Sequence, residues 1–338
     1  MRLLRHVRIS VLGALAIATC IPRLSCQEGS CQRRIIPVAF RDAQNLPIQS
    51  ISTVDLEGKI HGKALNILSL SPDPRPHRLV LILDMSGSMG QVGGGTPPWH
   101  LEVVLARHFF MVNREKSQFA LLIFNDKVKE LIDFSRGNSA VADTLERIGD
   151  RQFVRKELKG KTALHDAILQ GLELLDHPGS ADALYVLTDA GDNSSIHSRS
   201  DVMRRLALTS VRLFAILMEG DMGYRNRTPE ETSGPGELSE IAEKSGGQIL
   251  TVAEGRGDKV ALSANINGKT KTQDTLIRLY QTILQNNLLE IELPFSISKD
   301  ERWELRLSDS ARHKWKGAQI TYPKVLVSCS SEALGPSH

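Results

Sequence analysis

Residues 79–89 read Leu-Val-Leu-Ile-Leu-Asp-Met-Ser-Gly-Ser-Met and decide the fold. An unbroken run of Leu, Val and Ile that stops at a glycine-containing turn is typical of a strand buried on both faces, as in a parallel sheet. One carboxylate and two hydroxyls, Asp84, Ser86 and Ser88, follow at every second position. Open α/β folds bind their ligands just beyond the carboxyl ends of their strands, so the stretch predicts a binding site here.

Two further stretches have the same design. Residues 159–168 read Lys-Gly-Lys-Thr-Ala-Leu-His-Asp-Ala-Ile, which predicts a loop entering a helix with Thr162 at the N-cap position. Residues 183–193 read Ala-Leu-Tyr-Val-Leu-Thr-Asp-Ala-Gly-Asp-Asn, a second buried strand with Asp189 in the turn after it. Because such loops meet at one edge of a parallel sheet, we expect five oxygen-bearing side chains to converge: Asp84, Ser86, Ser88, Thr162 and Asp189.

Oxygen ligands without a neighbouring Cys or His suit Mg²⁺, Ca²⁺ or Mn²⁺ rather than zinc or copper. The sequence therefore predicts a divalent-cation site. All three ions accept this ligand set, so the choice among them stays open. The glycine-lysine-threonine triplet at 160–162 does not indicate a nucleotide loop, because Arg155 stands where a P-loop needs glycine.

The three motifs, taken in order, closely resemble the metal-ion-dependent adhesion site of the von Willebrand factor A (VWA) family. The resemblance covers about residues 78–286. It implies a Rossmann-like, open and mostly parallel α/β sheet with helices on both faces. It also implies that the five side chains surround the cation, Mg²⁺ first among the candidates, some of them through water. Ala190 departs from the family, which usually has glycine there, and alanine tolerates a positive φ less well than glycine.

The same resemblance implies a binding function. A cation held by three hydroxyls and two acids keeps an open position and attracts a Glu or Asp of a protein partner. Asp192 and Asn193 are expected either to orient the third loop from outside the cation's ligands or to cap the helix that follows. His165 is expected to be a partly exposed helix residue.

Strands and helices alternate along this central part, which predicts βαβ units. Strands are expected near residues 79–84, 118–125, 183–188, 211–218 and 248–253. Helices are expected near residues 98–113, 139–149, 163–176, 198–209, 236–245 and 272–286. The resemblance further suggests that residues 118–124 pair antiparallel at an edge of the sheet.

The segments on each side of the central part predict short β-strands. We expect a small β-rich segment with a proline-rich linker (32–76), the VWA domain (78–286) and a C-terminal β-rich segment (287–330), the two flanks forming one composite β-domain. Residues 71–76, with three prolines, are expected to form the linker. This layout also resembles a narrower group, the secreted bacterial VWFA-related (Acidobacterial-type) proteins, through Val38–Ile48 and Leu238–Gly247.

The amino terminus has three arginines ahead of a short apolar core at 9–19, which indicates a secretory signal peptide over about residues 1–26. Cleavage near Cys20 or before Gln27 is expected, and the alternatives are a lipidated Cys20 and an uncleaved anchor. The protein is therefore expected to be secreted, periplasmic or on the cell surface, with no integral membrane segment after cleavage. In an oxidising compartment, Cys31 pairs with Cys329 or with Cys26, and free thiols are the third possibility.

Composition excludes some functions. The chain has 338 residues, 41% of them hydrophobic and 24% charged, and its net charge of +3 gives no reason to expect nucleic-acid binding. No recognisable acid–base pair or nucleophile motif is present, so we expect a binding protein and no enzyme. The alternatives are a structural envelope or assembly protein that uses the metal for stability, and a metal-dependent hydrolase. The oligomeric state is not predicted.

Overall fold

The computed structural model describes residues 32–328 with several gaps. The gaps are Asn45, 91–96, 151–156, Ser180, 220–228, 255–259, 262–273 and Asn286. The predicted signal peptide and all four cysteines (Cys20, Cys26, Cys31 and Cys329) lie outside the described residues. Within the described ranges, no helix is both long enough and apolar enough to cross a bilayer.

Three sheets and several helices make up the described chain. The strands are β1 (Arg33–Arg41), β2 (Leu56–Ile60), β3 (Lys63–Ala64), β4 (Asn66–Pro72), β5 (His77–Asp84), β6 (Ser117–Phe124), β7 (Val128–Ile132), β8 (Ala183–Thr188), β9 (Arg212–Glu219), β10 (Gln248–Glu254), β11 (Val260–Ala261), β12 (Asn287–Glu292), β13 (Glu301–Leu307), β14 (Gln319–Thr321) and β15 (Val325–Leu326). The helices are α1 (Pro98–Asn113), α2 (Gly137–Ile148), α3 (Leu164–Glu173), α4 (Arg199–Thr209), α5 (Pro229–Ser245), α6 (Asp274–Leu284) and α7 (Asp309–Lys314).

The central sheet has the strand order β11-β10-β9-β8-β5-β6-β7. Strands β10, β9, β8, β5 and β6 run parallel, while β7 and the two-residue β11 pair antiparallel at the edges. The expected open, mostly parallel α/β sheet is confirmed. The polar ends of β5 and β8, which are neighbours in this order, therefore lie side by side at one edge.

The prediction that residues 118–124 form an antiparallel edge strand is wrong. Strand β6 pairs parallel with β5 along its whole length. Helix α1 connects the two strands, and a crossover of that length returns the chain in the same direction. The antiparallel edge strand is β7, which the tight turn at 125–127 joins to β6. Strand β7 was not predicted from the sequence because it is short and half-exposed.

Alternate residues of each central strand enter opposite layers of the core. In β5, Leu79, Leu81 and Leu83 pack on the side that holds α1, α2 and α6. Val80 and Ile82 pack on the other side, against α3, α4 and α5. Both faces are buried, which explains why the strand is an unbroken apolar run without polar alternation. Helices therefore cover both faces of the sheet, as expected.

Helix boundaries agree with the sequence to within a few residues except in α5. This helix begins at Pro229, whereas the residue pattern predicts a start near residue 236. The segment Gly234-Pro235-Gly236 indicates a break on propensity alone, yet Pro235 lies inside the helix. Packing of α5 on β9 and β10 outweighs this low propensity.

The flanks build two four-stranded sheets. One has the order β14-β1-β12-β4 and the other β15-β13-β2-β3, so each combines strands from before and after the central sheet. Their facing sides share one apolar core, which includes Phe40, Ile60, Leu289 and Trp303. The predicted linker begins later than expected, because Ser71 and Pro72 are the last residues of β4.

The β-sheets of the flanks contact the carboxyl end of α5. The Lys324 amide donates to the Lys244 carbonyl oxygen over 3.0 Å. Gly246, with φ +82°, lies so close to the backbone of Tyr322 and Pro323 that a Cβ there would be 2.6 Å from it. Arg41 in β1 donates a hydrogen bond to Gln248 in β10. The flanks and the central sheet therefore meet at the end of the sheet opposite the polar loops.

Candidate metal site

The first loop presents its acid and its two serines at the end of β5. Asp84 is fully buried. Its Oδ1 accepts from the Ser86 amide at 2.8 Å, and its Oδ2 accepts from the Thr188 hydroxyl at 2.6 Å. The hydroxyl oxygens of Ser86 and Ser88 are 3.1 Å apart. Because the two serines are two positions apart, their hydroxyls lie together. They lie beside the Asp84 carboxylate, which accepts a hydrogen bond at each of its oxygens.

Hydrogen bonds join the three predicted loops. The Gly87 amide donates to the Gly160 carbonyl over 3.1 Å, which links the first loop to the second. The Thr162 amide donates to Asn193 Oδ1 over 2.9 Å, and the Asn193 amide donates back to the Thr162 carbonyl over 3.0 Å. The bond from Thr188 to Asp84 links the third loop to the first. Each of the three predicted loops is therefore hydrogen-bonded directly to the other two.

Thr162 is not the N-cap of α3, contrary to the prediction. The N-cap residue is Ala163, which has no capping side chain. The third loop caps the helix instead, because Asp192 Oδ2 accepts from the His165 amide at 2.8 Å and Ser195 Oγ accepts from the Asp166 amide at 3.1 Å. The Thr162 hydroxyl has no hydrogen-bond partner among the described residues, so it remains available as a ligand.

Asp192 and Asn193 bind the second loop. Neither caps the helix that follows, since Ser198 caps α4. His165 was expected to be partly exposed, and that prediction is wrong. It is 9% exposed, with its Nδ1 3.3 Å from Asp192 Oδ2. It is buried because the third loop and α5 cover the start of α3.

Ala190 occupies the position where the VWA family usually has glycine. Its φ of +68° lies in the left-handed region, which costs a non-glycine residue about 1–2 kcal/mol. Two features hold this conformation: its amide donates to the Thr188 hydroxyl at 2.9 Å, and its methyl group is buried in the core. The third loop therefore keeps the glycine-like backbone path with an alanine.

Three acids interact in this region. The pKa of Asp84 is raised to about 7, first by burial and then by the negative charge of Asp189. Glu102 of α1 is also fully buried, and burial followed by the charge of Asp84 raises its pKa well above the usual range. Glu102 Oε1 accepts from the Asp84 amide at 2.7 Å, whereas Oε2 has no hydrogen-bond partner among the residues that the structure describes. A cation near Asp84 and Asp189 would relieve their mutual repulsion.

Glu102 and Thr188 belong to the site but were not predicted from the motifs. Glu102 lies on the apolar stripe of α1, between Trp99 and Ala106, and this position of an acid among buried residues was the available signal. Thr188 was included in the quoted motif without a role. In the structure it connects Asp84 to Ala190 through its hydroxyl group.

The donor set fits a hard divalent cation held mainly by hydroxyls. Among the described residues, no three Cys, His, Asp or Glu side chains come together to hold a metal ion. An all-carboxylate or zinc-type site is therefore not present in that part of the chain. Two acids with three hydroxyls remain, and Asp84, Ser86 and Thr162 are buried while Ser88 and Asp189 are half-buried. These residues would hold Mg²⁺, Ca²⁺ or Mn²⁺.

Comparison with known proteins identifies the domain. Residues 79–192 match the family model of the von Willebrand factor type A domain. The chain therefore contains a VWA domain, and this match includes all five predicted ligands. The narrower Acidobacterial-type resemblance stays a prediction. No curated protein matches the chain.

Solved structures with a partly similar arrangement include two bacterial proteins. A conserved hypothetical protein BatB from Bacteroides thetaiotaomicron is 14% identical, with 61% of this chain and 96% of that chain covered and a TM-score of 0.39. A von Willebrand factor type A protein from Catenulispora acidiphila is 14% identical, with 88% and 74% covered and a TM-score of 0.38. At these values the similarities carry no conclusion about function.

Proposed function

We propose that the VWA domain binds a divalent cation and, through it, an acidic residue of a protein partner. The ligands are Asp84, Ser86, Ser88, Thr162 and Asp189. Mg²⁺ is the first candidate, with Ca²⁺ and Mn²⁺ as alternatives. One observation carries the proposal: direct hydrogen bonds tie the three loops together at the carboxyl ends of β5 and β8.

The charge balance supports the second half of the proposal. The site offers two carboxylates, and Asp84 already accepts hydrogen bonds at both oxygens. Two carboxylates at most neutralise a bound divalent cation and the three hydroxyls add no charge, so the five ligands leave a sixth coordination position for a carboxylate from outside. Thr162 and Ser88 lie on the loops that border this position, so a partner's Glu or Asp would approach across them.

We further propose that the protein acts outside the cytoplasm as a binding protein without turnover. The arginine-rich start and short apolar core of residues 1–26 support export. The absence of a recognisable nucleophile or acid–base motif in the sequence supports binding over catalysis.

Water-proton relaxation with Mn²⁺ tests the open position. We expect the Mn²⁺-loaded protein to enhance relaxation strongly, because a bound water exchanges at that position. N-acetyl-aspartate N-methylamide should then reduce the enhancement by displacing this water, whereas the asparagine analogue at the same concentration should not. An equal effect of the two probes would contradict carboxylate binding, and no Mn²⁺ enhancement would contradict the metal site.

A further inference from the structure

A cavity beside the metal site is not used by the proposed cation. It has a volume of about 80 Å³ and lies between the start of α3, the third loop and α5. A single water needs roughly 10–15 Å³ on the same measure, so the cavity has room for a larger group. Its lining includes Ala190, the residue directly after Asp189, and Leu164, two positions after Thr162.

The lining combines an apolar wall with carboxylates. Leu164, Leu238 and Ile241 supply the apolar part, and Asp192, Glu230 and Glu237 supply the acids. The side chains of Glu230 and Glu237 have no ion pair or hydrogen bond within the described part of the chain. Such a surface suits a side chain with an aliphatic stem and a positively charged end, because the stem covers the apolar wall while the charge faces the acids.

His165 gives an independent indication of the ligand. It is 9% exposed and lines the cavity. Its Nδ1 faces Asp192 Oδ2, which favours the proton on that nitrogen. Its Nε2 has no hydrogen-bond partner among the described residues, so it can accept a hydrogen bond. A buried acceptor beside carboxylates matches a donor-rich cation.

The cavity does not suit a metal ion. Of the residues that the structure describes, no three His, Cys, Asp or Glu side chains are arranged to hold one. Asp192 already accepts from the His165 amide and from the amide and hydroxyl of Ser195. The remaining acids, Glu230 and Glu237, give long-range attraction and single hydrogen bonds, which an ammonium or guanidinium group uses well.

We infer that this cavity binds a Lys or Arg side chain of the partner whose acidic residue binds the cation. The inference rests on the proposed function for its biological setting. The segments from Asp189 to Ala190 and from Thr162 to Leu164 span about 4–7 Å. An extended peptide advances about 3.3–3.6 Å per residue. The partner segment therefore carries its acidic and basic residues one or two positions apart.

A titration followed by ¹⁵N NMR in EDTA tests the cavity without the metal. The probe is N-acetyl-lysine N-methylamide, and the norleucine analogue is its neutral control. We expect the lysine probe to shift the amide signals of Ala190, Gly234 and Leu238 saturably. The double variant Glu230→Gln/Glu237→Gln should weaken this binding about three- to fivefold. Glu243→Gln, which removes an exposed charge on the same helix away from the cavity, should leave it unchanged.

Equal shifts with the norleucine probe, no shifts with lysine, or no effect of the double variant would each overturn the inference. A second titration in Mg²⁺ separates it from the proposed function. Peptides with Asp and Lys one or two positions apart should bind more tightly than their norleucine counterparts, and the double variant should remove that difference. Lysine-probe binding in EDTA with no peptide binding in Mg²⁺ would support the cavity and contradict the metal-dependent function.

Discussion

Glu102 Oε1 accepts a hydrogen bond from the backbone amide of Asp84, at 2.7 Å and with both residues fully buried. The acid comes from the first helix, 18 positions further along the chain. It fixes the point where β5 ends and the first loop begins. The orientation of Asp84 therefore depends on a side chain that does not belong to any of the three motifs.

Replacing Glu102 with alanine is expected to destabilise the protein by at least about 2 kcal/mol, because the change leaves the Asp84 amide unpaired and opens a cavity. Glu102→Gln keeps the shape and an acceptor oxygen, so it is expected to stay within about 1 kcal/mol of wild type. Urea unfolding measures both. An alanine variant as stable as the glutamine variant would show that the hydrogen bond does not support the loop.

The contribution of Asp84 to the stability of the metal-free protein is expected to fall as the pH rises from about 4 to about 7. The pKa of Asp84 is raised to about 7 by burial and by Asp189, whereas the unfolded value is about 3.9. The folded state then binds the Asp84 proton more tightly than the unfolded state does. The stability that this proton contributes is therefore present at low pH and is lost as the pH rises through this range.

Urea unfolding of wild type and Asp84→Asn at pH 5 and pH 7.5, in EDTA, measures this contribution. Comparing the two proteins cancels the titration of all other groups. The variant should lose less stability than wild type between the two pH values. Equal losses would contradict a raised pKa for Asp84.

Gly234→Ala is expected to push α5 away from the third loop. A Cβ at Gly234 would lie 1.9 Å from the carbonyl oxygen of Ala190, a backbone atom that cannot move alone. We expect a loss of about 1–3 kcal/mol in stability together with weaker metal binding. Gly236→Ala is the matched control, because nothing lies within 4 Å of its added Cβ. It should stabilise the helix by about 0.5–1 kcal/mol. Similar effects of the two variants would contradict this close contact.

Asp192→Ala is expected to lower both stability and metal affinity. Asp192 caps α3 from the third loop, and its loss should cost about 1–2 kcal/mol and release the loop that holds Asp189. Ser198→Ala removes an ordinary N-cap from α4 at a similar cost, without touching the second loop. Thermal unfolding of both variants measures the loss of stability, and Mn²⁺ titration of both measures the loss of metal affinity. If Ser198→Ala reduced metal affinity as much, the role of Asp192 in the site would be refuted.

Much of the fold follows from residue pattern. The buried strands could be predicted because runs such as residues 79–83 are apolar at every position, which a parallel sheet covered on both faces requires. The start of α5 could not be predicted, because Gly234, Pro235 and Gly236 disfavour a helix locally. Only packing against β9 and β10 favours a helix there. The direction of β6 follows from the length of the connection through α1, which returns the chain parallel to β5.

The candidate site also has features that the sequence predicts and features that it does not. Side chains supplied by their own motif, such as Ser86 and Ser88, could be predicted from spacing alone. Contacts between motifs could not be predicted, because they depend on how the three loops pack against one another. Asp192 caps a helix that begins 28 residues earlier in the chain, and Thr162, which has the local preference for that cap, does not fill it. The N-cap preference of threonine therefore predicts the wrong capping residue for α3.

Calorimetric titration of the metal-stripped protein with Mg²⁺, Mn²⁺ and Ca²⁺ tests the central claim most directly. It is done beside Asp84→Ala and beside Asp143→Ala, which removes an exposed acid from α2 away from the site. We predict saturable binding at one site in wild type and Asp143→Ala, and none in Asp84→Ala. Absence of binding by wild type, or unchanged binding by Asp84→Ala, would contradict the proposed metal site.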